Sequence, residues 1–138
     1  MQVGDAGGPG FGSINDLTIR DGFINGFGGG AVVYAGSTGF SDCVIRDNWV
    51  AQCRRGGGVA NFASIRMDST TVTHNGIRQP CSPAGFIEDQ GAGVYNDGDL
   101  HIANCDFEHA FASMIWNAEN GTLQIIGSSF RDVLYSSA

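Results

Sequence analysis

The chain contains no lysine: its seven basic residues are all arginine, set against fourteen acidic ones, for a net charge of −7 over 138 residues. Phosphate binding needs clustered cations, so an acidic chain without a basic run argues against nucleic acid as a partner. Long apolar runs are missing as well. No stretch approaches the ~20 apolar residues of a membrane-spanning helix. Helical periodicity is also absent, since no dozen-residue segment carries apolar residues at i, i+3 and i+4. The opening residues MQVGDAGGPG lack both a charged segment and an apolar segment of the kind a secretion signal carries. The expectation is that a signal has been removed or that the sequence begins inside a longer protein.

What is abundant is glycine, 22 of 138 residues, with no three-residue collagen period. Glycines scattered between short apolar runs indicate many tight turns, and hence an all-β chain. The segment GAGVYNDGDLHIANCDF, residues 91 to 107, serves as a ruler for the rest. Its two apolar anchors, Ile102 and Phe107, recur at the same offset as Ile19/Ile24, Phe40/Ile45, Met67/Val72 and Ile125/Phe130. The offset within a pair is constant, whereas the spacing between pairs runs from 21 to 35 residues. Loops of variable length inserted at one point of a regular unit give that pattern. A third anchor, Val32, Val59, Val94 or Ile115, follows the small residues of GGGAV, GGGV and GAGV, or SMI in the last copy. Two residues beyond it stand Tyr34, Asn61, Asn96 and Asn117. Alternation at period two puts the anchors inside and their neighbours outside. The reading is one domain over residues 1–138: a single-stranded right-handed parallel β-helix of about five coils with three short strands each, part of a longer solenoid. Solenoid ends need covering, so end-to-end self-association is an expected alternative.

The repeated glycines and asparagines carry a resemblance. GGGAV (28–32), IRDN (45–48) with GGGV (56–59), and VTHN (72–75) with GAGV (91–94) resemble repeats of polymorphic outer-membrane proteins and related secreted β-helix proteins. These belong to the right-handed parallel β-helix class of the pectin-lyase-like superfamily. FEHA (107–110) and SMI (113–115) depart from the pattern, lacking the asparagine and the glycines. The resemblance implies a secreted or cell-surface location and spans lyases, hydrolases, adhesins and spacers, so it does not by itself select a function.

Residues at one repeat offset stack into columns. Asn61, Asn96 and Asn117 are expected to form a structural ladder of side-chain amides. Gly22, Cys43, Thr70, Cys105 and Ser128 form a small, inward column. Its two cysteines lie two coils apart, roughly 10 Å at strand spacing, too far for a disulfide. Outward on adjacent coils stand Arg66, Asp68 and His101, a cation, a carboxylate and an imidazole that could perform acid–base chemistry on a polysaccharide. A solvated ion pair is the plainer reading of the same three residues. Tyr95 and Trp116 are outward aromatics on neighbouring coils and offer a platform for sugar rings, unless the loop at 77–90 folds over them. Asp47, His74, His109 and Asp132 form a further column whose ligand spacing suits a metal poorly. Neither a metal nor a cofactor is expected. The function anticipated is an extracellular or cell-surface module, structural or carbohydrate-binding. The rivals are a polysaccharide lyase or glycoside hydrolase acting through Arg66, Asp68 and His101, and a self-stacking assembly unit.

Cys53 and Cys81 fall in loops at the same point of successive repeats and are read as a disulfide, as an oxidising compartment would permit. The other reading is two free loop thiols. Thiol titration in denaturant decides it: two free thiols before reduction and four after are expected, and four in both conditions excludes the bond.

Overall fold

The computed structural model describes residues 1–3, 11–51, 54–78, 91–111 and 113–132. Cys53 and Cys81 lie outside the described residues. The chain is all-β, and it makes repeated passes through the same series of short strands. The first pass holds β1 (Gln2–Val3), β2 (Phe11–Asn15), β3 (Thr18–Arg20) and β4 (Phe23–Ile24). The second holds β5 (Ala31–Val33), β6 (Ser37–Ser41), β7 (Val44–Arg46) and β8 (Trp49–Val50). The third holds β9 (Val59–Asn61), β10 (Ser64–Asp68), β11 (Thr71–Thr73) and β12 (Gly76–Ile77). The fourth holds β13 (Val94–Asn96), β14 (Asp99–Ala103) and β15 (Asp106–Glu108), and the last β16 (Ile115–Asn117), β17 (Thr122–Ile126) and β18 (Ser129–Arg131). No helix among the described residues is long and apolar enough to cross a membrane.

Corresponding strands pair in parallel and build four sheets. Sheet A orders β1-β5-β9-β13-β16, sheet B β2-β6-β10-β14-β17, sheet C β3-β7-β11-β15-β18 and sheet D β4-β8-β12. A fourth short strand in each of the first three passes is a correction to the sequence reading, while the last two passes hold three strands among the described residues. Sheet D was missed because its strands are two residues long, too short to display a period.

The register also corrects the first pass. Ile14 pairs with Phe40 and Ile19 with Ile45, so the first anchors are Ile14/Ile19 and not Ile19/Ile24. Consequently Gly22 aligns with Asn48, to whose Oδ1 its N–H donates at 3.0 Å, rather than with Cys43. In sheet A, Ala31 and not Val32 pairs with Val59, and Val33 rather than Tyr34 pairs with Asn61. The remaining anchor columns align as expected: Phe40–Met67–Ile102–Ile125 in sheet B and Ile45–Val72–Phe107–Phe130 in sheet C. Their inner members are fully buried and make the core with Val59, Ile65, Val94 and Leu100. Each such side chain contributes about 1.5–3 kcal/mol through burial.

Two corners bend each pass, one between sheets B and C and one directly after sheet C. Every corner residue has positive φ: Asp16, Asp42, Ser69, Asn104 and Gly127 at the first, Asp21, Asp47, His74, His109 and Asp132 at the second. Apart from Gly127 these are short polar or His residues, the side chains best tolerated in the left-handed region. The column that resembled metal ligands is therefore a column of corners, selected by backbone conformation.

The glycine clusters have a different cause. After sheet D the chain doubles back so tightly that backbone lies on backbone. A Cβ on Gly57 would stand 2.4 Å from Ala92 O and 2.5 Å from Gly76 O. One on Gly58 would stand 3.1 Å from the Asn75 side chain, and one on Gly30 2.9 Å from that of Asn48. The two buried asparagines fill the space the glycines leave. Asn48 Nδ2 donates to Ile19 O at 2.9 Å and to Asn75 Oδ1 at 3.0 Å, and Asn75 Nδ2 donates to Ile45 O at 2.8 Å. Buried amides with partners of this kind avoid the desolvation cost of orphaned polar groups. The paired motifs GGG and [IV]xxN are thus two halves of one packing unit.

Gly57→Ala is expected to destabilise the fold by about 1–3 kcal/mol, because only backbone can give way. Gly39→Ala, whose nearest neighbour is Gly12 O at 4.0 Å, is expected to change stability by less than about 0.5 kcal/mol. Urea unfolding of the two variants beside the parent protein checks both.

Candidate functional site

The site begins with the expected asparagine ladder. Asn61 Nδ2 donates to Asn96 Oδ1 at 2.7 Å, and Asn96 Nδ2 donates to Asn117 Oδ1 at 2.6 Å. Asn117 is the exposed last rung. Its Nδ2 donates to Gly121 O at 2.7 Å, and Gly121 N donates to Ala118 O at 2.9 Å, closing a tight turn. Only glycine fits at 121, since a Cβ there would come within 2.6 Å of Asn117 Oδ1. The turn projects Glu119 and Asn120 beside Trp116, and Asn120 Nδ2 reaches Asp97 Oδ1 at 3.4 Å. Arg55, Tyr95, Asp97, Trp116, Glu119 and Asn120 surround a concavity of about 370 Å³.

Tyr95 and Trp116 are register partners, but their environments differ. Tyr95 is only 3% exposed, which corrects its reading as an open platform. The Arg55 guanidinium lies 5.0 Å from the centre of its ring, and Arg55 Nη1 donates to its hydroxyl at 3.0 Å. Phe27 and Phe62 pack on it at 6.4 and 5.8 Å between ring centres. Tyr95 is a rigid wall of the concavity. Trp116 is half-buried and supplies the accessible ring.

Arg66 and His101 are direct partners across β10 and β14. Both line a second concavity of about 540 Å³ on sheet B, with Ser64, Asp99, Thr122 and Gln124. No ion pair engages Arg66 among the described residues, and His101 Nε2 is shielded from solvent without a hydrogen-bond partner. Asp68 is not brought to this concavity. It pairs with Ala103, and its Oδ1 accepts from Ser69 Oγ and Asn104 Nδ2, both at 3.3 Å, beside the corner. The carboxylate that does reach the Arg66 and His101 surface is Asp99, which accepts from Thr122 Oγ1 at 2.6 Å.

On the corner column, the His74 and His109 rings stack 4.6 Å apart at 10°. His109 lies between Glu108 at 3.4 Å and Asp132 at 3.5 Å, and Arg131 pairs with Glu108 at 3.5 Å. These contacts knit neighbouring passes together.

A further aromatic surface escaped the sequence reading. Phe23, Trp49 and Arg78 border a concavity of about 610 Å³ with Asp21 and Asp47. Trp49 lies across Gly76, where a Cβ would stand 2.4 Å from its ring, and it meets Phe111 at 5.0 Å. The signal for it was the alignment of Phe23, Trp49, Gly76 and Phe111, which becomes visible only once sheet D is known.

Cys43 and Cys105 are free and buried. Burial holds the Cys105 thiol above its ordinary value, outweighing the lowering effect of hydrogen bonds at Thr70 and Ala103. The comparisons with family models, curated proteins and solved structures return no match for this chain.

The raised Cys105 pKa means that the folded state favours the neutral thiol. That stabilisation is complete below the thiol's unfolded pKa and is lost as pH rises through the higher folded one. Cys105 is expected to resist alkylation at pH 8 in the native protein and to react at a rate set by unfolding. Peptide mapping after timed iodoacetamide labelling checks this, and fast native labelling contradicts it.

Proposed function

We propose that the four parallel sheets are the faces of a single right-handed β-helix, and that the chain is an extracellular or cell-surface module of that kind which holds a carbohydrate chain at Trp116. The first three passes visit sheets A, B, C and D in that order and the last two visit A, B and C, which supports the winding. The repeated GGG and [IV]xxN motifs, which resemble those of the pectin-lyase-like class, support the location.

The observation that carries the binding reading is the half-buried Trp116 ring beside Asp97, Glu119 and Asn120. A sugar ring has an apolar face and a rim of hydroxyls. The indole accepts the first, while the carboxylates and the amide accept and donate to the second. The rigid Tyr95–Arg55 wall keeps the concavity open without a ligand, which lowers the ordering cost of binding. The composition of the rim, two carboxylates with the one arginine already held by Tyr95, favours a neutral sugar over an acidic one.

A second reading rests on the unpaired Arg66 and the unpartnered His101 Nε2. It makes the sheet B concavity the place where a lyase or hydrolase would act, with Asp99 rather than Asp68 as its carboxylate.

The chain has two tryptophans, so Trp49→Phe leaves Trp116 as the only indole reporter. Titrating that variant with a panel of neutral and acidic oligosaccharides is expected to shift its emission with neutral ones. Trp116→Ala is expected to lose retention on the same glycans by tenfold or more, with an unchanged circular dichroism spectrum. No shift with any glycan sinks the binding reading. Product release that His101→Ala abolishes moves the function to sheet B.

A further inference from the structure

The rim of the Trp116 concavity consists mainly of acceptors. The concavity on sheet B is the reverse. Arg66 is exposed, and its side chain makes no hydrogen bond or ion pair among the described residues. Beside it in register stands His101, whose Nε2 is shielded from solvent without a partner. Two residues back on the same face, Ser64 and its register partner Ser37 line the concavity. Their hydroxyls are likewise unengaged among the described residues. The carboxylate in the cluster, Asp99, already accepts from the Thr122 hydroxyl at 2.6 Å.

Arginine carries donors only, and an imidazole with its proton on Nε2 donates there. A polar atom that is out of water and unpaired costs stability, so its presence calls for a partner. Arg66, His101 and the two serines lack the same thing, an acceptor, and the guanidinium charge makes an anionic one the best fit. On the other side of Arg66 lies Gly39, so no side chain there competes for the guanidinium. All these groups sit on the inner strands β6, β10 and β14.

We infer that the sheet B concavity binds a phosphate or sulfate group. The guanidinium fork takes two oxygens side by side. His101 Nε2 and the serine hydroxyls take the others. A tetrahedral anion has oxygens enough for donors from three strands, whereas a carboxylate has two, which the fork alone would occupy. The volume of about 540 Å³ admits the group as an ester as well as a free ion. Asp99 opposes an anion and limits its affinity. Binding of this kind needs no turnover, so it is independent of the lyase or hydrolase reading of the same surface.

Titration calorimetry of the full chain with sodium phosphate and sodium sulfate, at an ionic strength held constant with chloride, tests it. Saturable binding at about millimolar concentration is expected, as a few charged hydrogen bonds would give. Acetate is expected to bind about tenfold more weakly. Arg66→Gln and His101→Phe are each expected to weaken phosphate binding about tenfold. Asp99→Asn is expected to tighten it about threefold. Circular dichroism is expected to be unchanged in all three, and Arg66→Gln, at an exposed position, carries the test alone if His101→Phe does not fold. Glucose 6-phosphate beside inorganic phosphate separates the two sources: tighter binding of the ester or of the free ion supports the site and names which it serves. No saturable binding of phosphate, sulfate or the ester overturns the inference. Binding that Arg66→Gln leaves unchanged overturns its placement, and acetate binding as tight as phosphate overturns the tetrahedral assignment. Polysaccharide product release by a chain that binds neither anion overturns this inference and leaves the lyase or hydrolase reading standing.

Discussion

The structure depends on the contact between the glycine clusters and the strands of sheet D. There the chain returns to sheet A so closely that Gly57 passes within van der Waals reach of Gly76 and Ala92 backbone, leaving no room for a side chain. A junction of this kind puts polar backbone into a dry interior, where unpaired groups are costly. Asn48 and Asn75 resolve this by bonding along the stack and to backbone. In the first pass Gly22 occupies the place of the asparagine, and its Cβ would stand 2.0 Å from Gly29 O. In the fourth pass Ala110 follows the corner instead, and Gly93 faces Met114 and Val72. The unit thus changes at both ends of the molecule and is constant between them.

Much of this was legible in the sequence because the fold repeats itself. Inner anchors such as Phe40, Met67 and Ile102 sit at a fixed offset from their partners, and each repetition strengthens the alignment. The first pass failed for an instructive reason: Ile14, Ile19 and Ile24 are spaced five apart, so two frames place isoleucine at both anchors. Position 32 failed because Ala31, Val32 and Val33 are all buried, and alternation cannot choose a face among three apolar neighbours. Sheet D was invisible because two residues have no period.

The candidate site was less legible than the fold. Alternation put Tyr95 and Trp116 on the same outward face, and the pairing agrees. What covers Tyr95 comes from Phe27, Phe62 and Arg55, on other passes and loops, and no local pattern encodes it. Asp68 shares a strand face with Arg66, but the nearby Asn104 and Ser69 draw its carboxylate toward the corner. His74 and His109 looked chemical because left-handed corners and metal sites favour overlapping residue types. Conformation explains them without a ligand.

The direction of the hydrogen bonds has a mechanical consequence. Within each sheet the bonds between successive passes run across the strands. A force that peels an edge strand away from its sheet loads these bonds in tension, a few at a time. A force parallel to the strands loads all the bonds of a strand pair in shear at once. Each sheet is therefore a zipper in one direction and a clamp in the other.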